Sequence, residues 1–164
     1  LNIRFCALII DRMDPEFPHT DLEPWDVYIH RAAMLIANNI KHICPCNLAI
    51  LADDLTKPRE IKKTFEKSLK DAINKRLSIN KINNPIVGVT RLESHASLML
   101  QIVDILLGAV MYDFKKEQNM IAEKLQERQE VVANEVRNIL KTDSLAKNRT
   151  YNKPNYFSVW KFQK

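Results

Sequence analysis

Four carboxylates stand at strand ends or inside an apolar helix, where a ligand site and an ordinary structural role both fit. Asp53 follows Leu48-Ala49-Ile50-Leu51-Ala52, at the carboxyl end of an apolar run that reads as a buried strand. Ligands of open α/β sheets collect at such strand ends. Asp54 beside it reads as a turn or capping residue before Thr56 and Pro58. Glu93 and His95 close a third apolar run in the same way, and Ser94 or Ser97 is an ordinary helix cap there. Asp104 lies inside Ser97–Tyr112 (SLMLQIVDILLGAVMY), a stretch apolar nearly all round. At about 100° per residue, Ser97, Gln101, Asp104 and Gly108 fall within a strip roughly 60° wide. The helix is expected to be buried, so the Asp104 carboxylate needs a cation, a hydrogen bond or a metal. Two readings stay open for it: a salt bridge to a neighbouring Lys or Arg, or a ligand presented into a cleft. For Asp53 the alternatives are strand-end turn chemistry and a site. Acids converging on one end of a parallel sheet suit hard divalent cations such as Mg²⁺ or Mn²⁺, which take oxygen ligands. Next to a basic surface, the chemistry to expect is phosphodiester hydrolysis.

What the chain lacks narrows the field further. Only two glycines, Gly88 and Gly108, occur in 164 residues. A Walker loop or a dinucleotide-binding turn needs two or three close together. H-E-x-x-H, G-x-S-x-G and Cys–His motifs are also missing. The three cysteines include Cys44-Pro45-Cys46, a C-x-C without a second pair to complete a zinc site. They read as reduced thiols in a cytoplasmic protein. Residues 1–10 lack the basic start and cleavage site of a signal peptide, and Ser97–Tyr112 is too short and too interrupted to span a membrane.

The net charge of +5 is strongly segregated. Residues 57–81 carry nine Lys or Arg against three acids, and residues 144–164 carry five Lys or Arg and no acid. The remaining stretches are net acidic. Such segregation can create a face that attracts a phosphate backbone, with Lys62, Lys63, Lys67 and Lys70 as the contacts to expect. A solvated lysine-rich helix with a loose basic tail explains the same pattern.

The elements that must position these groups alternate. Hydrophobic periodicity predicts a strand over 3–10, a helix over 25–42 and a strand over 47–52. A helix over 58–78 follows, with Ile61, Phe65, Leu69, Ile73 and Leu77 on one face and Pro58 in its first turn. Then come a strand over 86–92, the apolar helix from Ser97 to about Phe114, and an amphipathic helix with Ile121, Leu125, Val132, Val136 and Leu140 on one side. Residues 156–162 alternate like a half-exposed strand. This order predicts an α/β fold with a mixed or parallel sheet flanked by helices.

In that setting the strand Asn2–Arg12, the helix with Tyr28, the strand ending in Asp53, and Ser94 followed by Gln101-Ile102-Val103-Asp104-Ile105-Leu106 resemble the bacterial domain-of-unknown-function family 3800. The resemblance covers residues 1–114, and its most specific piece is the Q-x-x-D run from Gln101 to Gly108. It implies a ribonuclease-H-like fold and a divalent-metal-dependent nuclease, with Asp53 as the fourth-strand acid and Asp104 as the last-helix acid; Glu93, from its own place at a strand end, is expected to assist. The family opens on an Asp-Glu-Ser-Gly strand, which is not found in this sequence. The resemblance therefore implies a sheet short of its first two strands, and three readings stay open: a piece of a longer protein that is inactive by itself, strands supplied by another chain, or a rearranged fold. A core over 1–143 and a basic tail with a terminal strand over 144–164 are expected. Exposed strand edges further predict a homodimer or a strand-swapped assembly, with 156–162 available to fill an edge. The alternative is a non-catalytic nucleic-acid-binding or protein-interaction module of the same fold, in which Asp104 pairs with a base and Asp53 holds a turn.

Overall fold

A computed structural model of the chain describes residues 3–11, 23–44, 46–54, 64–121, 126–153 and 156–162. The elements are β1 (Arg4–Ile9), α1 (Pro24–Ile40), β2 (Leu48–Asp53), α2 (Phe65–Ser78), β3 (Ile86–Leu92), a short 3-10 turn (Ser94–Ala96), α3 (Leu98–Glu117), α4 (Gln126–Leu140), β4 (Arg149–Tyr151) and β5 (Tyr156–Lys161). The α/β class expected from the periodicity is therefore present. The chain forms two compact units, one of Leu1–Pro18 with Gln101–Lys164 and the other of His19–Leu100. Among the described residues of 144–164, Leu145, Tyr151 of β4 and Phe157 and Val159 of β5 belong to the core of the first unit.

That first unit is built on a mixed three-stranded sheet ordered β1-β5-β4. β5 runs parallel to β1, with Phe5 opposite Phe157 and Ala7 opposite Val159, and antiparallel to β4. Phe5 and Phe157 stack with centroids 4.6 Å apart. The terminal strand thus fills an edge of β1 within its own chain. Ala109, Val110, Tyr112 and Phe114 of α3, with Ala133 and Leu140 of α4, cover the same core.

The other unit pairs β2 and β3 in parallel, with Asp53 opposite Leu92 at their carboxyl ends. Its core is the face of α2 expected from the periodicity, Phe65, Leu69, Ile73 and Leu77, packed with Ile29, Ala33 and Ala37 of α1 and Ile86 of β3. Pro24 suits the first turn of α1, where its missing N–H is no loss. α2 starts later than expected. Thr64 has extended backbone, and its side chain accepts the Lys67 amide at 3.3 Å, so the helix opens at Phe65.

Helix endings explain how the chain manages with so little glycine. α2, α3 and α4 close on Lys81, Asn119 and Lys141, whose φ values are 60°, 55° and 53°. In each the next amide reaches back five residues: Ile82 to Leu77, Met120 to Lys115 and Thr142 to Arg137. This is the Schellman ending with a side chain where glycine is usual.

α3 departs from its expected burial. Ala109, Val110, Tyr112, Asp113 and Phe114 are buried, but Leu98 is 71% exposed, and Met99, Ile102, Val103, Ile105 and Leu107 are exposed as well. An all-round apolar sequence indicates that a helix would gain from cover, and among the described residues that cover reaches the Ala109–Phe114 part. No described helix is long and apolar enough to cross a membrane.

Candidate functional site

The polar cluster at the carboxyl ends of β2 and β3 begins with Asp53. Its Oδ1 accepts two hydrogen bonds, from the Asp54 amide at 2.9 Å and from the Ser94 hydroxyl at 2.7 Å. Both strands end here, because Asp53 is the last residue of β2 and its partner Leu92 the last of β3. The Asp54 amide continues the ladder by one bond, to the Leu92 carbonyl at 3.0 Å. The carboxylate is exposed, and among the described residues Oδ2 takes no hydrogen bond. It is thus oriented through one oxygen and open through the other.

Ser94 is not a helix cap. It spends its hydroxyl on Asp53, while Ser97 Oγ accepts the Leu100 amide at 3.5 Å near the start of α3. Tyr28 of α1 stands close enough to feel the Asp53 charge: burial first, then that charge, raises its pKa above the ordinary value. Its ring lies 6.4 Å from those of Trp25 and Phe65, an aromatic wall beside the carboxylate.

Beside this cluster lies a chain of charges. The Arg91 guanidinium binds Glu66 at 2.6 Å and Asp54 at 3.1 Å. Its own backbone, followed by Arg91, holds the Glu66 carboxyl below the usual range. Asp54 therefore balances a cation, in addition to its turn position. Arg91, Asp54, Glu66 and Glu93 line one open groove of about 420 Å³. Glu93 is largely exposed and faces His95 at 3.3 Å, so both stay at the surface.

Of the lysines expected on the nucleic-acid face, Lys62 and Lys63 lie outside the described residues. Lys67 is exposed in the first turn of α2. Lys70 donates to the Val87 carbonyl at 2.9 Å and ties α2 to β3. A cationic group that sequence reading missed gathers His30 and Arg31 of α1 with Arg76 of α2. Arg76 reaches the His30 ring at 2.6 Å. Burial, and then the charges of Arg76 and Arg31, push the His30 pKa down. His30 and Arg76 stand 46 positions apart in sequence, and only the packing of α1 on α2 brings them together.

Asp104 requires a correction. It is exposed on α3 and pays no burial penalty, so the argument that it must be paired or metal-bound does not apply. It falls within the first unit, whereas Asp53 and Glu93 fall within the second. The acid that does meet the burial criterion is Asp113, 3% exposed. Its Oδ1 accepts from Arg137, its Oδ2 accepts the Leu145 amide at 2.7 Å, and Arg137 is held in turn by Asn134. No sequence signal marked it: Ala133 and Arg137 lie off the Val132, Val136 and Leu140 face expected to pack inward.

Asp53 and Glu93 are hard oxygen donors of the type Mg²⁺ and Mn²⁺ select. Among the described residues, however, no three of His, Cys, Asp and Glu stand together closely enough to hold a metal ion. The cluster by itself can orient a carboxylate and offer its free oxygen, and the same unit presents Arg31 and Arg76 on α1 and α2. Comparison with family models, with curated proteins and with solved structures gives no match.

Proposed function

We propose that this chain acts on nucleic acid as part of a ribonuclease-H-like, divalent-metal-dependent nuclease. The observation that carries the reading is Asp53, a strand-end carboxylate fixed by Ser94 through Oδ1 and open at Oδ2. Mg²⁺ or Mn²⁺ would supply water activation and charge neutralisation when bound. Asp53 is the described residue best placed to ligate it, and the described neighbours are too few to complete the site. Arg31, Arg76 and Lys67 would bind phosphates by charge, positioning a strand without reading its sequence. Asp104 enters the proposal only through the resemblance of its Q-x-x-D run.

The test measures cleavage of single-stranded and duplex DNA and RNA with Mg²⁺ or Mn²⁺ in the longest form of the protein, with Asp53→Asn and Asp104→Asn alongside. Loss of cleavage in Asp53→Asn with binding retained is the expected result. The second reading, a non-catalytic nucleic-acid-binding module, is favoured by the turn bond from the Asp54 amide to Asp53. It predicts salt-dependent binding that falls in Arg76→Ala, with no metal effect and no cleavage in any form.

A further inference from the structure

The C-x-C of the sequence has a geometry that none of the preceding chemistry uses. Cys46 donates to Cys44 across 3.7 Å between sulfurs. Both thiols are half-buried and unoxidised. They line a cavity of about 610 Å³ together with Asn47, Lys81, Ile82 and Pro85, in the unit that carries Asp53. A disulfide would need the sulfurs at about 2.05 Å. A metal bonded to both sulfurs at about 2.3 Å, the length of a zinc–thiolate bond, would instead subtend about 107° at this separation, an ordinary bite angle for a chelating dithiolate.

We propose that Cys44 and Cys46 form a two-thiolate site for a soft d¹⁰ cation of the Cu(I) class. Three observations converge on it. The sulfurs are already at chelating distance, so binding requires little rearrangement. They face a cavity with room for the cation and for a solvent molecule or small thiol completing its coordination. Lys81, held at the left-handed end of α2 and lining the same cavity, places a positive charge where a bis-thiolate complex of a monovalent cation would be negative. Thiolate softness selects Cu(I) over the hard cations that Asp53 would take, so the two sites do not compete for one metal. Binding forms two metal–sulfur bonds and releases two thiol protons to solvent, with no electron transferred.

The experiment titrates the reduced full chain with Cu(I) under anaerobic conditions against a chromogenic Cu(I) chelator. One equivalent is expected to bind. Cys44→Ser and Cys46→Ser should each weaken it by about 10²-fold, the usual advantage of a second tethered contact, and Cys6→Ser should leave it unchanged. Equal affinity in either single variant, or loss of binding in Cys6→Ser, overturns the proposal. A second measurement on the unmutated protein avoids any folding defect of the variants: Cu(I) should protect Cys44 and Cys46, but not Cys6, from alkylation as read by mass spectrometry. Unchanged alkylation of the pair overturns it equally.

Discussion

Asp113 and Asp53 are both well hydrogen-bonded carboxylates, yet one is enclosed and the other open. Asp113 has each oxygen engaged, by Arg137 and by the Leu145 amide, inside the core beneath β1, β5 and α4. Asp53 has both of its bonds on a single oxygen and faces solvent at a strand end. The first arrangement exhausts a carboxylate in holding α3, α4 and the following loop together. The second leaves lone pairs directed outward, which is what a ligand requires. Hydrogen-bond count alone would not separate them; burial and the distribution of bonds between the two oxygens do.

The sharpest way to break this comparison is to remove the partner cation from the enclosed acid. Arg137→Ala leaves a buried charge uncompensated and should cost about 3–5 kcal/mol. The chain's two tryptophans can localise the loss, because Trp25 packs with the α1–α2 core and Trp160 lies on β5. Trp160 fluorescence in urea should shift to much lower denaturant in Arg137→Ala. A shift confined to Trp25 would show that the pair does not hold the unit in which it lies.

A smaller effect, of opposite sign, is expected at the helix ends. Lys141 occupies a left-handed backbone position that disfavours a side chain by about 1–2 kcal/mol relative to glycine. Lys141→Gly should therefore stabilise by about 1 kcal/mol, as the relieved strain exceeds the entropy glycine adds to the unfolded chain. Destabilisation on urea unfolding would mean that the Lys141 side chain contributes more than its backbone costs.

These same positions explain what was and was not legible beforehand. Apolar runs located β1, β2 and β3, period-two alternation located β5, and the period-3.6 pattern located the α2 face Phe65, Leu69, Ile73 and Leu77, because burial leaves that imprint directly. Helix endings carried no such mark, since Lys81 and Lys141 do by Schellman geometry what glycine usually announces. β4 is three residues long, too short for alternation to register. Asp53 was visible because a strand end is a sequence feature. Asp113 was hidden because Tyr112 and Phe114 flank it, and its partner lies 24 positions away on another helix. The exposed half of α3 misled for the converse reason: composition reports a preference for cover, and the fold decides whether cover arrives.

The Arg91 network offers a pH test of the open region. Arg91→Ala should cost little, since its ion pairs are screened by solvent. Glu66 has its carboxyl pKa depressed in the folded state from an ordinary 4.5. Its stabilising contribution is therefore complete above that value and is lost as pH falls through the lower folded one. The gap in urea midpoint between the unmutated protein and Glu66→Gln should be full above pH 4.5 and close as pH falls below it. A gap that instead widens in acid would mean that Glu66 is held by its neutral form.

The smallest expected effect is the most informative for Asp53. Asn in its place keeps a carbonyl oxygen that can accept from Ser94 and from the Asp54 amide, and it removes only a charge already in contact with water. Unfolding free energy should then change by no more than about 0.5 kcal/mol, as for surface substitutions generally. Ser94→Ala frees the carboxylate to rotate and should be nearly as mild on stability. If Asp53→Asn instead approached the loss expected for Arg137→Ala, Asp53 would be a structural acid like Asp113. Its open oxygen would then be incidental, and the case for a site at the ends of β2 and β3 would fall with it. A neutral substitution that removes metal-dependent cleavage has the opposite meaning: a carboxylate that the fold can spare and the chemistry cannot.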